Sequence, residues 1–174
     1  AERKEKRKNI LKRAEELLEN LKEELPESTN ITQEIDDNLK IKSIKKYNNK
    51  YYGGSEILNQ KELILVEGRS DVINLVKHGI NNVICFDGTN FDEFLIELCR
   101  NKSIILFLDD DNSGHKHLNE INSLIKIDYC TFAPNGLEVS DLNLKEINNC
   151  LKNKKSVTKF KIIQKFKRFI KKQD

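Results

Sequence analysis

The sequence has no Met, no C-x-x-C pair and no apolar run approaching the roughly 18 residues that a transmembrane helix needs. It also has no segment with the pattern of a signal peptide. These absences argue against membrane insertion and export, so we expect a cytoplasmic protein with no membrane partner. The lack of an initiator Met, in a chain of 174 residues, is what a fragment or a minimal version of a longer protein would show.

The four cysteines, Cys85, Cys99, Cys130 and Cys150, are scattered along the chain. Three of them fall within apolar strand or helix patterns. We interpret all four as reduced thiols of the core in a cytosolic protein, rather than as metal ligands or disulfide partners.

The most informative stretch begins at residue 63, where four apolar residues are followed directly by Glu67 and Gly68. Four apolar residues are too few for a helix but are typical of a parallel strand that is covered on both faces. Gly68 would let the backbone turn sharply after Glu67. Because ligands bind at the carboxyl ends of strands in open parallel sheets, Glu67 is a candidate functional residue.

A second apolar run, residues 103–108, is followed by three consecutive aspartates, Asp109, Asp110 and Asp111. Adjacent aspartates repel one another unless a cation or a basic partner offsets their charge. On an extended backbone Asp109 and Asp111 project to one side and Asp110 to the other. If the two strands are neighbours, Glu67, Asp109 and Asp111 converge and offer three hard oxygen ligands that suit Mg²⁺ or Mn²⁺.

Each acidic motif also has an ordinary structural explanation. Glu67 alone could be a surface acid or a helix cap, and the aspartates could cap the N-terminus of a helix and compensate its dipole. The two motifs together favour a metal site. The lack of an accompanying thiol or imidazole cluster argues against zinc at that site.

These residues resemble the Toprim domain family, whose pattern is Glu-Gly after the first strand and Asp-x-Asp after the third. Glu67-Gly68 and Asp109-Asp110-Asp111 match that pattern. A closer resemblance, over residues 62–149, is to the archaeal DnaG-type primases. Its matching segments are residues 66–72, 74–75, 79–80, 88–89, 107–111 and 133–136.

The resemblance implies a DNA primase, which is a DNA-directed RNA polymerase that makes short primers by Mg²⁺-dependent nucleotidyl transfer. It implies Glu67, Asp109 and Asp111 as the catalytic and metal-binding residues, with two Mg²⁺ or Mn²⁺ ions. The implied partners are a single-stranded DNA template, ribonucleotides and a replication helicase. Because the resemblance also implies an association with RNA and the archaeal exosome, two alternatives stay open: a non-catalytic RNA-binding adaptor of the exosome, and a Toprim nuclease.

The rest of the sequence alternates helical and strand patterns, as in a parallel sheet. We predict an α/β Toprim fold with a small parallel sheet of about four strands flanked by helices, and with helical N- and C-terminal extensions. The predicted divisions are a helical and basic N-terminal extension over residues 1–60, the Toprim domain over residues 61–150 and a basic amphipathic helix over residues 151–174. Within the first extension, residues 1–25 predict an amphipathic helix that packs on the domain or on a partner helix.

Several polar residues close to the predicted site are further candidates. Arg69 could meet a phosphate while Asp71 orients it, although helix capping accounts for Asp71 equally well. Gly88 and Thr89 follow the second strand and could receive a phosphate or form only a turn. The two histidines that follow Asp111, His115 and His117, are expected to face solvent near the start of a helix.

Two basic segments could contact nucleic acid. Tyr51 and Tyr52 follow several lysines and could stack on bases, although a linker or strand with one ring packed against the domain is the more usual outcome. Residues 151–174 hold nine Lys and one Arg against one Asp, and an anionic membrane surface or a purely structural helix is the alternative to nucleic-acid binding. The predicted nucleic-acid contacts in this segment are Lys159, Lys161, Lys165, Lys167 and Arg168.

Overall fold

The computed structural model describes residue 13, residues 29–88 and residues 91–160. The chain separates into two compact units, residues 1–40 and residues 41–174. The first described element is helix α1 (Thr29–Lys42), in which Lys40 Nζ lies 2.8 Å from Asp36 Oδ2 one turn earlier. The amphipathic helix predicted over residues 1–25 lies outside the described residues, except for Arg13.

Residues 41–174 contain an α/β unit whose elements alternate along the chain. Its strands are β1 (Lys45–Tyr47), β2 (Tyr51–Gly53), β3 (Glu62–Val66), β4 (Val83–Cys85), β5 (Ser103–Leu108), β6 (Tyr129–Phe132) and β7 (Lys155–Ser156). Its described helices are α2 (Arg69–Lys77), α3 (Glu93–Arg100), α4 (Asn112–Leu124) and α5 (Leu144–Lys152), with a 3-10 turn at Val139–Asp141.

The strands form one seven-stranded sheet in the order β1-β2-β4-β3-β5-β6-β7. The four central strands, β4, β3, β5 and β6, are parallel, which confirms the predicted parallel sheet of about four strands. The sheet is larger than predicted because short antiparallel strands extend it at both edges. Those strands have only two or three residues in the structure, which is too short to give a recognisable hydrophobic alternation.

The central strands are buried on both faces, which explains their continuous apolar sequences. Side chains alternate between the two faces: Leu63 and Leu65 join the core that includes α3 and α4, whereas Ile64 and Val66 join the core that includes α2 and α5. With no polar face to accommodate, every residue from 63 to 66 can be apolar. The helices therefore cover both sides of the sheet and leave the ends of the strands accessible.

The paired tyrosines belong to a β-hairpin. Asn48 and Asn49 have positive φ angles of 49° and 54°, and the Lys50 amide donates to the Tyr47 carbonyl oxygen at 3.0 Å, as in the tight turns that suit hairpins. Tyr51 is fully buried and Tyr52 is half-buried. The expectation of a strand with one ring packed against the domain is therefore confirmed, and Tyr51 is not available to stack on a base.

All four cysteines are free and buried, as predicted. Burial raises the pKa of Cys99 to about 12 and that of Cys130 to about 11, so these thiols are protonated at neutral pH. Within residues 29–88 and 91–160 no helix is long and apolar enough to cross a membrane.

The segment predicted as one basic helix over residues 151–174 is not one continuous helix, because a strand interrupts it. Leu151 and Lys152 end α5, and β7 follows because Lys155 and Ser156 pair with the exposed edge of β6. A helical turn then begins at residue 157 and continues to residue 160. The remainder of the predicted helix, residues 161–174, lies outside the part of the chain that the structure describes.

Candidate functional site

The two acidic motifs lie at the same edge of the sheet. Strands β3 and β5 are adjacent and parallel, with Leu65 paired to Leu106. Glu67 follows the end of β3, and Asp109 follows the end of β5. The predicted neighbour relationship between the two strands is therefore confirmed, and both motifs stand at the carboxyl edge where parallel sheets bind ligands.

Each of the three aspartates after β5 has a different partner. Asp109 Oδ1 accepts a hydrogen bond from the Val139 amide at 2.7 Å. Asp111 caps α4, and its Oδ1 accepts from the Gly114 amide at 2.6 Å. Asp110 instead lies 2.9 Å from His115 Nε2. The helix-cap explanation thus holds for Asp111, while Asp110 is paired with His115.

Glu67 is half-exposed and lies beside a histidine of α4. The Nδ1 atom of His117 is 3.4 Å from Glu67 Oε2, and its ring meets the Phe86 ring edge-on with centroids 5.8 Å apart. The expectation that His117 faces solvent is wrong, because only 16% of its side chain is exposed. The position of His117 depends on how α4 packs against β4, and periodicity within α4 does not reveal that packing.

Asp71 is buried in the first turn of α2 behind these acids. Its Oδ2 accepts a hydrogen bond from the Gly68 amide at 2.9 Å. Of the two roles expected for Asp71, helix capping and orienting Arg69, the structure thus shows helix capping. Burial raises its pKa to about 6; the Gly68 hydrogen bond opposes that shift, and the charges of Asp109, Glu67 and Glu138 add to it. Asp71 therefore lies among several acidic groups, one of which, Glu138, no sequence motif marked.

The described part of the chain holds no group of three or more His, Cys, Asp or Glu side chains arranged to bind a metal ion. Glu67 and Asp109 stand on adjacent strands, but Asp109 and Asp111 each direct one carboxylate oxygen to a backbone amide. Their other oxygens, both Oδ2, make no hydrogen bond to any described residue. Asp109 and Asp111 thus each have one carboxylate oxygen held by a backbone amide and one oxygen available to a ligand.

The predicted phosphate contacts lie around this edge. Arg69 is exposed, and its guanidinium carbon is 4.7 Å from the centre of the Tyr52 ring. Lys46 Nζ lies 5.5 Å from the same ring centre. Gly88 is exposed, with a φ of 88° that favours glycine, and the Asp87 amide before it donates to the Glu67 carbonyl oxygen at 3.1 Å. Thr89 lies outside the described residues.

Of the predicted nucleic-acid contacts in the tail, only Lys159 falls in the part that the structure describes. It is exposed, and its amide donates to Ser156 Oγ at 3.3 Å. The other four contacts, Lys161, Lys165, Lys167 and Arg168, lie outside the described residues, so their role stays a prediction.

A protein-family model described as the Toprim domain matches residues 61–147. The chain belongs to the Toprim domain family. The match begins just before β3 and ends within α5, so it includes both acidic motifs and the four parallel strands. The Toprim fold predicted from Glu67-Gly68 and the aspartates is confirmed.

The curated relatives of this Toprim chain include archaeal primases. The DNA primase DnaG of Thermofilum pendens is 40% identical over 159 residues, which cover 91% of this chain and 37% of the relative. The DNA primase DnaG of Archaeoglobus fulgidus is 39% identical over 162 residues, which cover 92% of this chain and 41% of the relative. The chain therefore spans about two fifths of the length of the relatives it matches.

Solved primase structures share the fold of this Toprim chain. The Aquifex aeolicus primase (zinc binding and RNA polymerase domains) superposes with a TM-score of 0.56 at 20% identity, covering 74% of this chain and 35% of that one. A DNA primase domain from Pseudomonas aeruginosa superposes with a TM-score of 0.54 at 25% identity, covering 66% and 41%. These superpositions confirm the predicted α/β fold.

Proposed function

We propose that this chain is the Toprim catalytic module of a DnaG-type primase, which joins ribonucleotides into short primers on a DNA template by nucleotidyl transfer. One observation carries the proposal: the acidic carboxyl edge with Glu67, Asp109 and Asp111 lies inside a segment that is about 40% identical to proteins named DNA primase DnaG. We further propose a cytoplasmic location, for which the four buried free thiols are the supporting feature.

The residues at this edge fit a hydrated divalent cation. All the donors are carboxylate oxygens, and Asp109 and Asp111 each keep one oxygen fixed by an amide and the other open. Mg²⁺ keeps several waters and needs only one or two protein carboxylates when substrate phosphates supply further ligands, so a preformed three-ligand cage is not required. We assign Glu67, Asp109 and Asp111 as the residues that would hold two Mg²⁺ or Mn²⁺ ions.

The bound ions would neutralise the charge that develops on the reacting phosphates. The chain itself fixes the acids in place. The Val139 amide orients Asp109, and the Gly114 amide orients Asp111. Glu67, next to His117, is placed to complete the ligand set or to accept the proton of the attacking hydroxyl.

Single-stranded DNA and ribonucleotides are the proposed partners. A DnaG primase catalytic domain bound to ssDNA has the same fold, with a TM-score of 0.51 at 21% identity. In this chain, Arg69 and Lys46 flank the Tyr52 ring close to the acidic edge and would contact phosphates. Further proposed nucleic-acid contacts are Gly88, Thr89 and the basic residues Lys159, Lys161, Lys165, Lys167 and Arg168. Asp71 would hold the first turn of α2. A replication helicase is a proposed protein partner.

A direct test incubates the full 174-residue chain with single-stranded DNA, ribonucleotides and Mg²⁺ and separates labelled products by size. We expect short RNA products, and we expect Glu67→Gln to reduce their rate on the order of a hundredfold or more because it removes the charge that a ligand or base needs. The control is Glu62→Gln, which makes the same change at the opposite end of β3. Shortened template in place of new product would identify a Toprim nuclease instead.

One observation favours a second candidate, the non-catalytic RNA-binding adaptor of the exosome. Both Asp109 and Asp111 already satisfy backbone amides, so the acidic loop has a structural role that needs no metal. The adaptor predicts no Mg²⁺-dependent turnover, with RNA binding that is equal for the unmodified chain and for Glu67→Gln. Turnover that depends on Glu67 would exclude it.

A further inference from the structure

A cavity of about 380 Å³ opens at the carboxyl end of β6, next to the acidic loop. Asp110 and His115 form the wall that it shares with that loop. Phe132 and the segment after β6 form a second wall, and the end of α5 with Lys155 of β7 forms a third. Its volume lies in the range of about 300–1,000 Å³ that is usual for small-molecule sites, at the lower end.

Three aromatic rings line this cavity, with planes that differ pairwise by 10° to 34°. The ring centroids of His115 and Phe132 are 4.7 Å apart, and those of Phe132 and Phe160 are 5.2 Å apart. The planes of His115 and Phe160 differ by only 10°. All three side chains are only partly buried, so their stack is accessible from the cavity. Because the third pair, His115 and Phe160, has centroids only 5.9 Å apart, the three rings form a triangular, offset stack, and a further flat ring can pack on the face that borders the cavity.

Three of the polar side chains that line the cavity are amides: Asn135, Asn149 and Asn153. Asn135 is exposed, and its side chain makes no hydrogen bond to any described residue. Asn149 Oδ1 accepts from Asn153 Nδ2 at 2.8 Å, which leaves the Asn149 amide nitrogen as a donor. Nearby, Thr131 Oγ1 donates to the Cys150 carbonyl oxygen at 2.8 Å and fixes the end of α5 to β6. Amide side chains offer both donors and acceptors, which is what the edge of a nucleobase requires.

The charges of the cavity favour a neutral ring over an anion. Asp110 lies on the wall next to the stack, and it would repel a phosphate that entered there. Lys155, on the opposite side of the cavity, is the group suited to a phosphate attached to that ring. Aromatic faces, amide edges and one lysine therefore match a nucleobase with its phosphate directed outward.

We propose that this cavity binds an unpaired purine or pyrimidine base, stacked on Phe132 and Phe160 and hydrogen-bonded by Asn135 and Asn149. The base would belong either to a single strand or to a mononucleotide. The proposal rests on the proposed function for the class of ligand, a nucleotide, but it concerns binding and needs neither metal nor turnover.

The test uses the full chain, without divalent metal, and a single-stranded DNA probe that carries 2-aminopurine, whose fluorescence falls when it stacks. The chain has no Trp, so the probe can be excited selectively. We expect quenching on binding and affinity weakened about tenfold or more by Phe160→Leu, since stacking contributes most of the contact. The matched control is Phe94→Leu, because Phe94 is also a half-buried ring but stacks on Tyr51 and not in this cavity.

Asn135→Leu provides a second variant that does not disturb the core, because Asn135 is exposed, and it should weaken binding severalfold. A probe with an abasic site in place of 2-aminopurine lacks the base but keeps every phosphate of the strand. The two variants and the unmodified chain should bind this probe with the same affinity. AMP that competes with the probe identifies a mononucleotide site, whereas binding of the strand alone identifies a strand site. The proposal is wrong if both variants bind the intact probe as the unmodified chain does, whether or not primers are made.

Discussion

His117 Nδ1 lies 3.4 Å from Glu67 Oε2, and this contact connects the first turns of α4 to the end of β3. The imidazole is held against Phe86, and its Nδ1 is buried without a hydrogen bond to any described residue. Glu67 is otherwise half-exposed, with no hydrogen bond from its side chain to any described residue. The histidine is therefore the group that restrains the carboxylate on its buried side.

We expect His117→Leu to weaken Mg²⁺ affinity about 10- to 100-fold, which is the usual range for a group that orients a metal ligand. The fold should be retained, because Leu fills similar space beside Phe86. Titration calorimetry with Mg²⁺ measures the affinity, and His78→Leu, at the C-terminal end of α2, is the control. Unchanged affinity in His117→Leu would show that the contact is only packing.

Asp71 should make stability depend on pH. Its pKa of about 6 in the folded chain is above the roughly 3.9 of an unfolded Asp, so folding favours the protonated form. That contribution is complete below about pH 4 and is lost as the pH rises through 6. Between pH 4 and 7, the free energy of unfolding of Asp71→Asn should therefore rise relative to the unmodified chain by up to about 3 kcal/mol.

Urea denaturation at several pH values measures this difference. Exposed Asp141, changed to Asn, is the control and should follow the unmodified chain. A difference between Asp71→Asn and the unmodified chain that stays constant across this pH range would mean that Asp71 has an ordinary pKa.

Divalent cations should stabilise the fold through the acidic edge. A ligand that binds only the folded state raises the stability of that state. We therefore expect Mg²⁺ or Mn²⁺, at about 5 mM, to raise the melting temperature. The double change Asp109→Asn and Asp111→Asn should abolish the rise, although Asn can still accept the two amide hydrogen bonds. Thermal melts with and without the cation measure this rise. If the double variant keeps the full rise, the ions bind at a site other than Asp109 and Asp111.

Gly114 should not tolerate a side chain. A Cβ there would collide with the Asp109 carbonyl oxygen, so α4 can begin this close to the acidic loop only with glycine. We expect Gly114→Ala to lower the free energy of unfolding by about 1–3 kcal/mol, even though Ala favours helices. Gly68→Ala is the matched control, because a Cβ at Gly68 meets nothing closer than 3.7 Å. Equal midpoints in urea for the two variants would contradict this account.

The tail should govern the salt dependence of nucleic-acid binding. Lysines that neutralise phosphates release counterions, and each contact to a single strand adds about 0.7 to the slope of log affinity against log salt concentration. Changing four residues to Gln should flatten that slope by up to about 3: Lys161, Lys165, Lys167 and Arg168. A control with equal loss of charge changes Lys42, Lys116, Lys126 and Lys145, which are exposed elsewhere. Matching slopes in the two variants would leave the tail without a special role.

The central sheet was predictable because each parallel strand is an uninterrupted apolar run that ends in a polar turn. The runs before Glu67 and Asp109 fixed both the strand positions and the edge at which the acids emerge. The edge strand β7 was not predictable, since it is only two residues long and is defined by its pairing with Tyr129 and Cys130. Gly68 was expected to permit a sharp turn, yet its φ of −128° is open to any residue.

The candidate site was predictable in composition but not in detail. Glu67 and Asp109 follow adjacent strands as expected, because strand adjacency alone determines it. The partners of these acids come from distant segments, such as Val139 for Asp109 and His117 for Glu67. Such contacts depend on how loops and helices pack, and a single sequence does not encode that packing in any local pattern.

The short antiparallel strands at the two margins of the sheet also bear on solubility. A long apolar strand at a margin would offer its unpaired amides and carbonyls to a neighbouring molecule and promote aggregation. Here the long strands β3 and β5 are interior, whereas the outermost strands have three and two residues and carry Lys45, Lys46 and Lys155. A second molecule would have to desolvate those ammonium groups to gain very few hydrogen bonds, so strand-to-strand association between copies is disfavoured at both margins.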